Sequence, residues 1–293
     1  MTARGLGLLT LTALSLLILT AGCGPARPGA ITPTLPPASL WQLHYEAGIK
    51  AYQQGRYAEA QTQLEIALKE AEQLRLINLE DPKAPPTPDP GVPATLKALG
   101  DVFMAQGKFR DAEASYRRAL EITNNTAGPD SAFAGMVLHS LGVLAMKEGR
   151  MGEADLQLNQ AARIEEKQLG AGHPVFAASL KSLGDLYAAQ GKRTEAELYY
   201  KRALGLREAA LGSEHPDVAE SLDGLVALYF AQGNVAQAKA LHKRALAIRV
   251  KALGPDHPSI AASLEQFAAM VRGTDGMATA PVGNGGAASP GPR

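Results

Sequence analysis

From Pro174 to Ala189 the apolar residues Phe176, Leu180, Leu183, Leu186 and Tyr187 return at spacings of three and four, which marks one face of a helix. Pro174 suits the first turn of that helix, where its missing N–H is no loss and its φ is already set. Gln190-Gly191-Lys192 then breaks the pattern, with Gly191 able to take the positive φ that ends a helix. A second helix is predicted to about Leu211, with Ala196, Tyr200, Ala203 and Leu204 on one face, before Gly212. The stretch therefore predicts a helical hairpin with one apolar seam. Gly184, Ala196 and Ala203 lack bulk, so neighbouring helices can approach closely there.

The hairpin is repeated. A shift of 42 residues carries His173-Pro174 onto His215-Pro216 and then onto His257-Pro258. The same shift relates Gly107, Gly149, Gly191 and Gly233, and likewise Ala112, Ala154, Ala196 and Ala238, and Ala119, Ala161, Ala203 and Ala245. Gly128, Gly170, Gly212 and Gly254 close the units at that interval. One hairpin cannot bury its own apolar face, whereas a stack of them buries a continuous core.

Within a unit the order is a bulky residue, Leu-Gly, Tyr, then Ala, an aromatic and Ala: Leu180, Leu183-Gly184, Tyr187, Ala196, Tyr200 and Ala203. This order resembles the tetratricopeptide repeat. The 42-residue period and the joint Leu211-Gly212-Ser213-Glu214-His215-Pro216 resemble its kinesin light chain variety. The resemblance covers roughly 40–272. It implies an all-α, right-handed superhelical solenoid of stacked helix-turn-helix hairpins, about five repeats plus a C-terminal capping helix.

Several stretches depart from the repeat. Residues 1–22 have a positive start at Arg4, a charge-free apolar run from Leu6 to Leu19, and small residues at Ala21-Gly22, which describes a signal peptide. Thr20-Ala21-Gly22-Cys23 resembles the bacterial lipoprotein signal, implying lipidation of Cys23, although Leu19 stands one step further from the cysteine than that pattern prefers. A plain signal peptide with an incidental cysteine, or an uncleaved anchor, is the other reading. Residues 23–39 read as a Pro-rich tether. The first unit begins near Leu40, and its second helix runs to about Leu79. Gly55 and Gly107 are 52 residues apart, so ten are inserted, in the Pro-rich stretch 81–93, where no helix is expected. Such an insert is either a tolerated surface loop or part of a binding face. The third unit starts at Ser131 without His-Pro. Ser259–Arg272 is one unpaired terminal helix, suited to cap the stack. Residues 273–293 are Gly-, Ala- and Pro-rich and read as a disordered tail.

Charge and chemistry narrow the function. Lys plus Arg and Asp plus Glu are 29 each, and aromatics are 5%, so no basic field or stripe favours nucleic acid. Cys23 is the single cysteine. His173, His215 and His257 sit one repeat apart, a separation of roughly 20 Å for stacked helix pairs, which no shared metal could bridge. No zinc-protease, paired-cysteine, nucleophile-elbow or phosphate-loop pattern is present. The chain reads as non-enzymatic, with no cofactor and no metal.

In the resembled family the first helices of successive units line a concave groove. Carried over by position, that groove holds Tyr45, Ile49 and Tyr52, then Lys97, Asp101 and Met104, then His139 and Met146, then Lys181 and Asp185, and finally Asp223 and Phe230. Exposed Met and aromatic side chains suit an adaptable peptide site; equally, Met146 and Phe230 fit as packing. Lys97 with Asp101 and Lys181 with Asp185 read as i,i+4 surface pairs rather than catalytic groups. The expectation is an exported scaffold that binds a protein or peptide and is held by an N-terminal lipid in a bacterial envelope, on the outer membrane facing the periplasm in a Gram-negative cell. An accessory subunit of an envelope-assembly or secretion machine is one form of that role, and a hidden enzyme subunit is the rival.

Overall fold

The structure, a computed structural model, describes residues 40–80 and 91–278. Among the described residues there are eleven helices and no strand: α1 (Leu40–Gln53), α2 (Tyr57–Glu80), α3 (Gly91–Ala105), α4 (Phe109–Thr126), α5 (Ala132–Lys147), α6 (Met151–Leu169), α7 (Pro174–Ala189), α8 (Arg193–Leu211), α9 (Pro216–Ala231), α10 (Val235–Leu253) and α11 (Pro258–Ala278). They form five hairpins stacked in chain order and a terminal helix, an all-α solenoid.

The turn inside each hairpin is set by hydrogen bonding. In the fourth unit Lys192 N donates to Tyr187 O at 2.8 Å and Gly191 N to Ala188 O at 3.0 Å, with Gly191 at φ +76°. These two bonds satisfy carbonyls that the helix end would leave orphaned. The same pair of bonds closes the other four hairpins, for example Lys108 N to Phe103 O and Asn234 N to Tyr229 O, both at 2.8 Å.

The joints between units are capped. His173 Nδ1 accepts from Val175 N and His215 Nδ1 from Asp217 N, both at 3.2 Å, with proline in the first turn that follows. The His-Pro pair thus acts as an N-cap followed by a residue that needs no cap. At the joint lacking His-Pro, Ser131 Oγ accepts from Ala134 N at 3.3 Å and does the same work.

The alanines mark the seam. Ala60, Ala67, Ala112, Ala119, Ala154, Ala161, Ala196, Ala203, Ala238 and Ala245 are all fully buried. Tyr200 fills the space that two glycines leave open. A Cβ on Gly184 would come within 2.6 Å of its ring, and one on Gly224 of the next unit within 2.5 Å. Large side chains in this core are therefore matched to missing ones.

Two helix boundaries differ from the sequence expectation. Gly91, Val92 and Pro93 are not loop, as the Pro-rich reading of 81–93 expected, but the buried first turn of α3. Proline is tolerated there because the first N–H groups of a helix have no intrahelical partner. The terminal helix runs past Arg272 to Ala278, so 273–278 are helical, against the expected tail. The expected signal peptide, Cys23, the tether, residues 81–90 and the rest of the tail, 279–293, lie outside the described residues. No described helix is long and apolar enough to cross a membrane.

Candidate functional site

The first helices α1, α3, α5, α7 and α9 touch one another in succession, so their outward faces form one continuous wall. On it lies a cleft of about 570 Å³, lined by Tyr52 of α1, Lys97, Asp101, Met104 and Ala105 of α3, Tyr116 of α4, and His139, Ser140, Val143 and Lys147 of α5. The helical spacing of three and four places Lys97, Asp101 and Met104 on one face of α3.

A polar relay crosses the floor of this cleft. Lys97 Nζ donates to Asp101 Oδ2 at 2.9 Å, and the Tyr116 hydroxyl donates to Asp101 Oδ1 at 2.7 Å. Burial, then the Asp101 carboxylate, raises the Tyr116 phenol far above its ordinary value. Burial followed by Asp101 also raises Tyr45 and Tyr52. All three phenols stay protonated donors at neutral pH. His139 Nε2 shares a hydrogen bond of 2.8 Å with Ser182 Oγ of the next unit. Burial, followed by the Lys97 charge, pushes its imidazole down to about 4, so the ring is neutral at physiological pH. Lys147, at the rim, is exposed.

Two units further on the relay is repeated. Lys181 Nζ donates to Asp185 Oδ2 at 2.7 Å and Tyr200 OH to Asp185 Oδ1 at 2.8 Å. The lysine–aspartate pairs are i,i+4 ion pairs on helix surfaces, as their spacing predicts.

The remaining expected groove residues are placed as follows. Tyr45 and Ile49 are half-buried against the core of the first two units, with the Trp41 ring edge-on to Tyr45 at 6.0 Å. Met146 is half-buried against the core of the third and fourth units. Asp223 is taken up by an ion pair with Arg249 of α10. Phe230 does not face the groove: it is buried edge-on to Phe267 of α11, at 6.1 Å. The terminal helix covers the face that position alone assigned to the groove.

Tyr116 and Ser140 line the cleft from positions that positional reasoning did not reach. The sequence did carry a signal for Tyr116. Tyr follows Asp by fifteen residues at 101/116 and again at 185/200, whereas the apolar equivalents Val143 and Ala227 are followed by Leu158 and His242.

Among the described residues no group of three or more His, Cys, Asp or Glu side chains could hold a metal ion. The cleft histidine is engaged by the buried Ser182 hydroxyl, and the cleft carboxylate by Lys97 and Tyr116.

Residues 91–167, 136–209, 175–249 and 217–278 each match the family described as tetratricopeptide repeat. No curated protein sequence matches the chain. Among solved structures, BtubC (BKLC) from P. vanneervenii is similar over 72% of this chain and 80% of its own, with 22% identity and a TM-score of 0.56. A Podosopora anserina protein described as a kinesin light chain with nearly identical TPR-like repeats is similar over 73% and 96%, with 25% identity and a TM-score of 0.52. A Rap protein solved in complex with Competence and Sporulation Factor is similar over 80% and 65%, with 14% identity and a TM-score of 0.60.

Proposed function

The chain belongs to the tetratricopeptide-repeat family, and from that premise we propose that it is a non-enzymatic scaffold binding a protein or peptide along the wall of first helices. The fold is one typical of interaction scaffolds. The observation that carries the reading is the 570 Å³ cleft, which combines aromatic, aliphatic and cationic side chains on rigid helices and has phenols fixed as donors. Rigid presentation reduces the ordering cost of binding. A Rap protein of similar fold was solved complexed with Competence and Sporulation Factor, which is consistent with a recognition role for such a stack.

The reading extends to location. The sequence 1–23 supports export and lipid attachment at Cys23, with the solenoid tethered at a bacterial envelope membrane, facing the periplasm in a Gram-negative cell. An accessory role in an envelope-assembly or secretion machine fits that placement.

Two experiments test these statements separately. In pull-downs from solubilised membranes, the triple variant Tyr45→Ala, Tyr52→Ala, Lys97→Glu is expected to lose specific partners while remaining helical by circular dichroism. Retention of the same partners would remove the groove from the proposal. For the anchor, wild type is expected in the membrane fraction and Cys23→Ser outside it; an unchanged distribution would exclude lipidation at Cys23.

A further inference from the structure

The second helices carry a row of positions one period apart: Thr123 on α4, Glu165 on α6, Arg207 on α8 and Arg249 on α10. Three of these four side chains make hydrogen bonds, although Arg207 Nε is left without a partner. Thr123 Oγ1 donates to Ala119 O at 2.7 Å. Arg207, buried, donates to Asp217 O at 2.6 Å and to Ser221 Oγ at 3.0 Å. Arg249 donates to Ser263 Oγ at 3.3 Å and pairs with Asp223. Glu165 is the exception. It is fully buried, and neither of its carboxyl oxygens makes a hydrogen bond of normal geometry; the buried Ser179 hydroxyl on the facing helix α7 favours the ionised form without offsetting the burial. A Cβ on Gly135 of α5 would lie 3.2 Å from Glu165 Cγ, so the side chain is pressed between α5 and α7.

The packed elements supply no counter-ion. On α7, Lys181 is held by Asp185. On α5, His139 turns to Ser182 and is neutral. On α6 itself, Glu166 pairs with Arg202 and Lys167 with Asp130, while Arg163 is exposed and donates to Asn159 O. An ionised carboxylate without a partner is costly to keep in such a site, and the group protonates instead.

We propose that Glu165 is a proton-controlled latch at the joint between the third and fourth units, closed while its carboxyl is protonated and loosened once the carboxyl ionises. The inference goes beyond the groove reading and does not depend on it. The latch lies in the same α5–α7 joint as the His139–Ser182 bond, so it sets how firmly the wall of the cleft is held to the unit that follows.

Burial pushes the Glu165 carboxyl from 4.5 up to about 7, with the Ser179 hydroxyl only partly offsetting it. The closed joint therefore holds a proton that the opened joint releases. Its stability is full below about 4.5, falls as pH rises towards 7, and levels off above. His139 acts in the opposite sense, because its depressed basicity makes neutral packing fail as pH falls from 6.5 towards 4. A comparison with a single-site isostere separates the two.

The experiment is native-state hydrogen exchange on the full chain, following amides of α6 and α7 in wild type and Glu165→Gln, corrected for intrinsic exchange. The ratio of the wild-type opening constant to that of the variant is expected to rise about tenfold per pH unit between about 4.5 and 7, then to level off. A ratio that stays flat across this window would overturn the latch. Should the variant fail to fold, a carbon-13 titration of the Glu165 carboxyl in wild type decides: a midpoint near 7 supports the proposal, and one in the ordinary carboxylate range refutes it.

Discussion

Tyr116 and Asp101 are joined across the second hairpin by a hydrogen bond of 2.7 Å, and the phenol is almost wholly buried while the carboxylate is open to the cleft. One contact thus anchors a core ring and aims a surface acid. Asp101 keeps both oxygens occupied, one by Tyr116 and one by Lys97. Removing the hydroxyl frees the acid to turn. Tyr116→Phe is expected to cost about 1.5–3 kcal/mol, the range for a hydrogen bond to a charged group, with little change in the slope of a urea unfolding curve. Tyr200→Phe should behave alike, since its bond to Asp185 is equivalent.

The fit of Tyr200 between helices predicts a contrast between two glycines. Gly184→Ala puts a methyl 2.6 Å from the Tyr200 ring and is expected to destabilise by about 1–3 kcal/mol through overpacking. Gly205, inside α8, has nothing within 4 Å of an added Cβ, so Gly205→Ala should stabilise by up to about 1 kcal/mol through backbone entropy. Thermal unfolding of the two variants should shift in opposite directions.

The capping role of His215 is separable from any role as a ligand. His215→Ala removes the acceptor for Asp217 N and is expected to cost about 1 kcal/mol. His215→Asn restores a short acceptor and should recover most of that loss in the same melting assay. A metal-binding histidine would show no such rescue.

A second acid-sensitive contact lies at the terminal helix. His242 stacks on Phe267 with ring centroids 4.1 Å apart, and its Nε2 is buried without a partner. Asp223, which would favour the imidazolium, is occupied by Arg249. Burial lowers the His242 basicity below its ordinary 6.5, and Arg249 adds to this. The unfolded chain therefore binds the proton more readily, and docking of α11 is expected to weaken as pH falls below about 6.5. Amides of α11 should lose protection in that direction in wild type. In His242→Phe, which keeps the stack, protection should be independent of pH.

The stacked-hairpin architecture was legible because it rests on glycine and alanine, whose effects are local. Gly191, standing between two periodic runs, supplies the positive φ of a helix end, and Ala196 is small in any context. Where neighbours decide, the pattern was less complete. Pro93 reads as a helix breaker unless one sees that it falls in a first turn, where its missing N–H costs nothing. Phe230 occupies a groove position by register, but α11 packs Phe267 against it, and no periodicity in α9 reports that cover. Tyr116 belongs at once to the core and to the cleft floor, and only its pairing with Asp101 reveals the second role.

The uniform turns have an evolutionary corollary. Because Gly170 and Gly212 close their helices in nearly the same backbone conformation, at φ +89° and +87°, cutting out residues 171–212 rejoins like with like. Unequal exchange between copies of such a gene can therefore lengthen or shorten the product without inventing a new connection. The side chains do not share this interchangeability. Glu165 places an acid where the next two joints have Arg207 and Arg249, and a duplicated unit brings its own group to a neighbour fitted for another. The backbone of this protein permits units to be shuffled, and the polar side chains at its joints keep a record of their order.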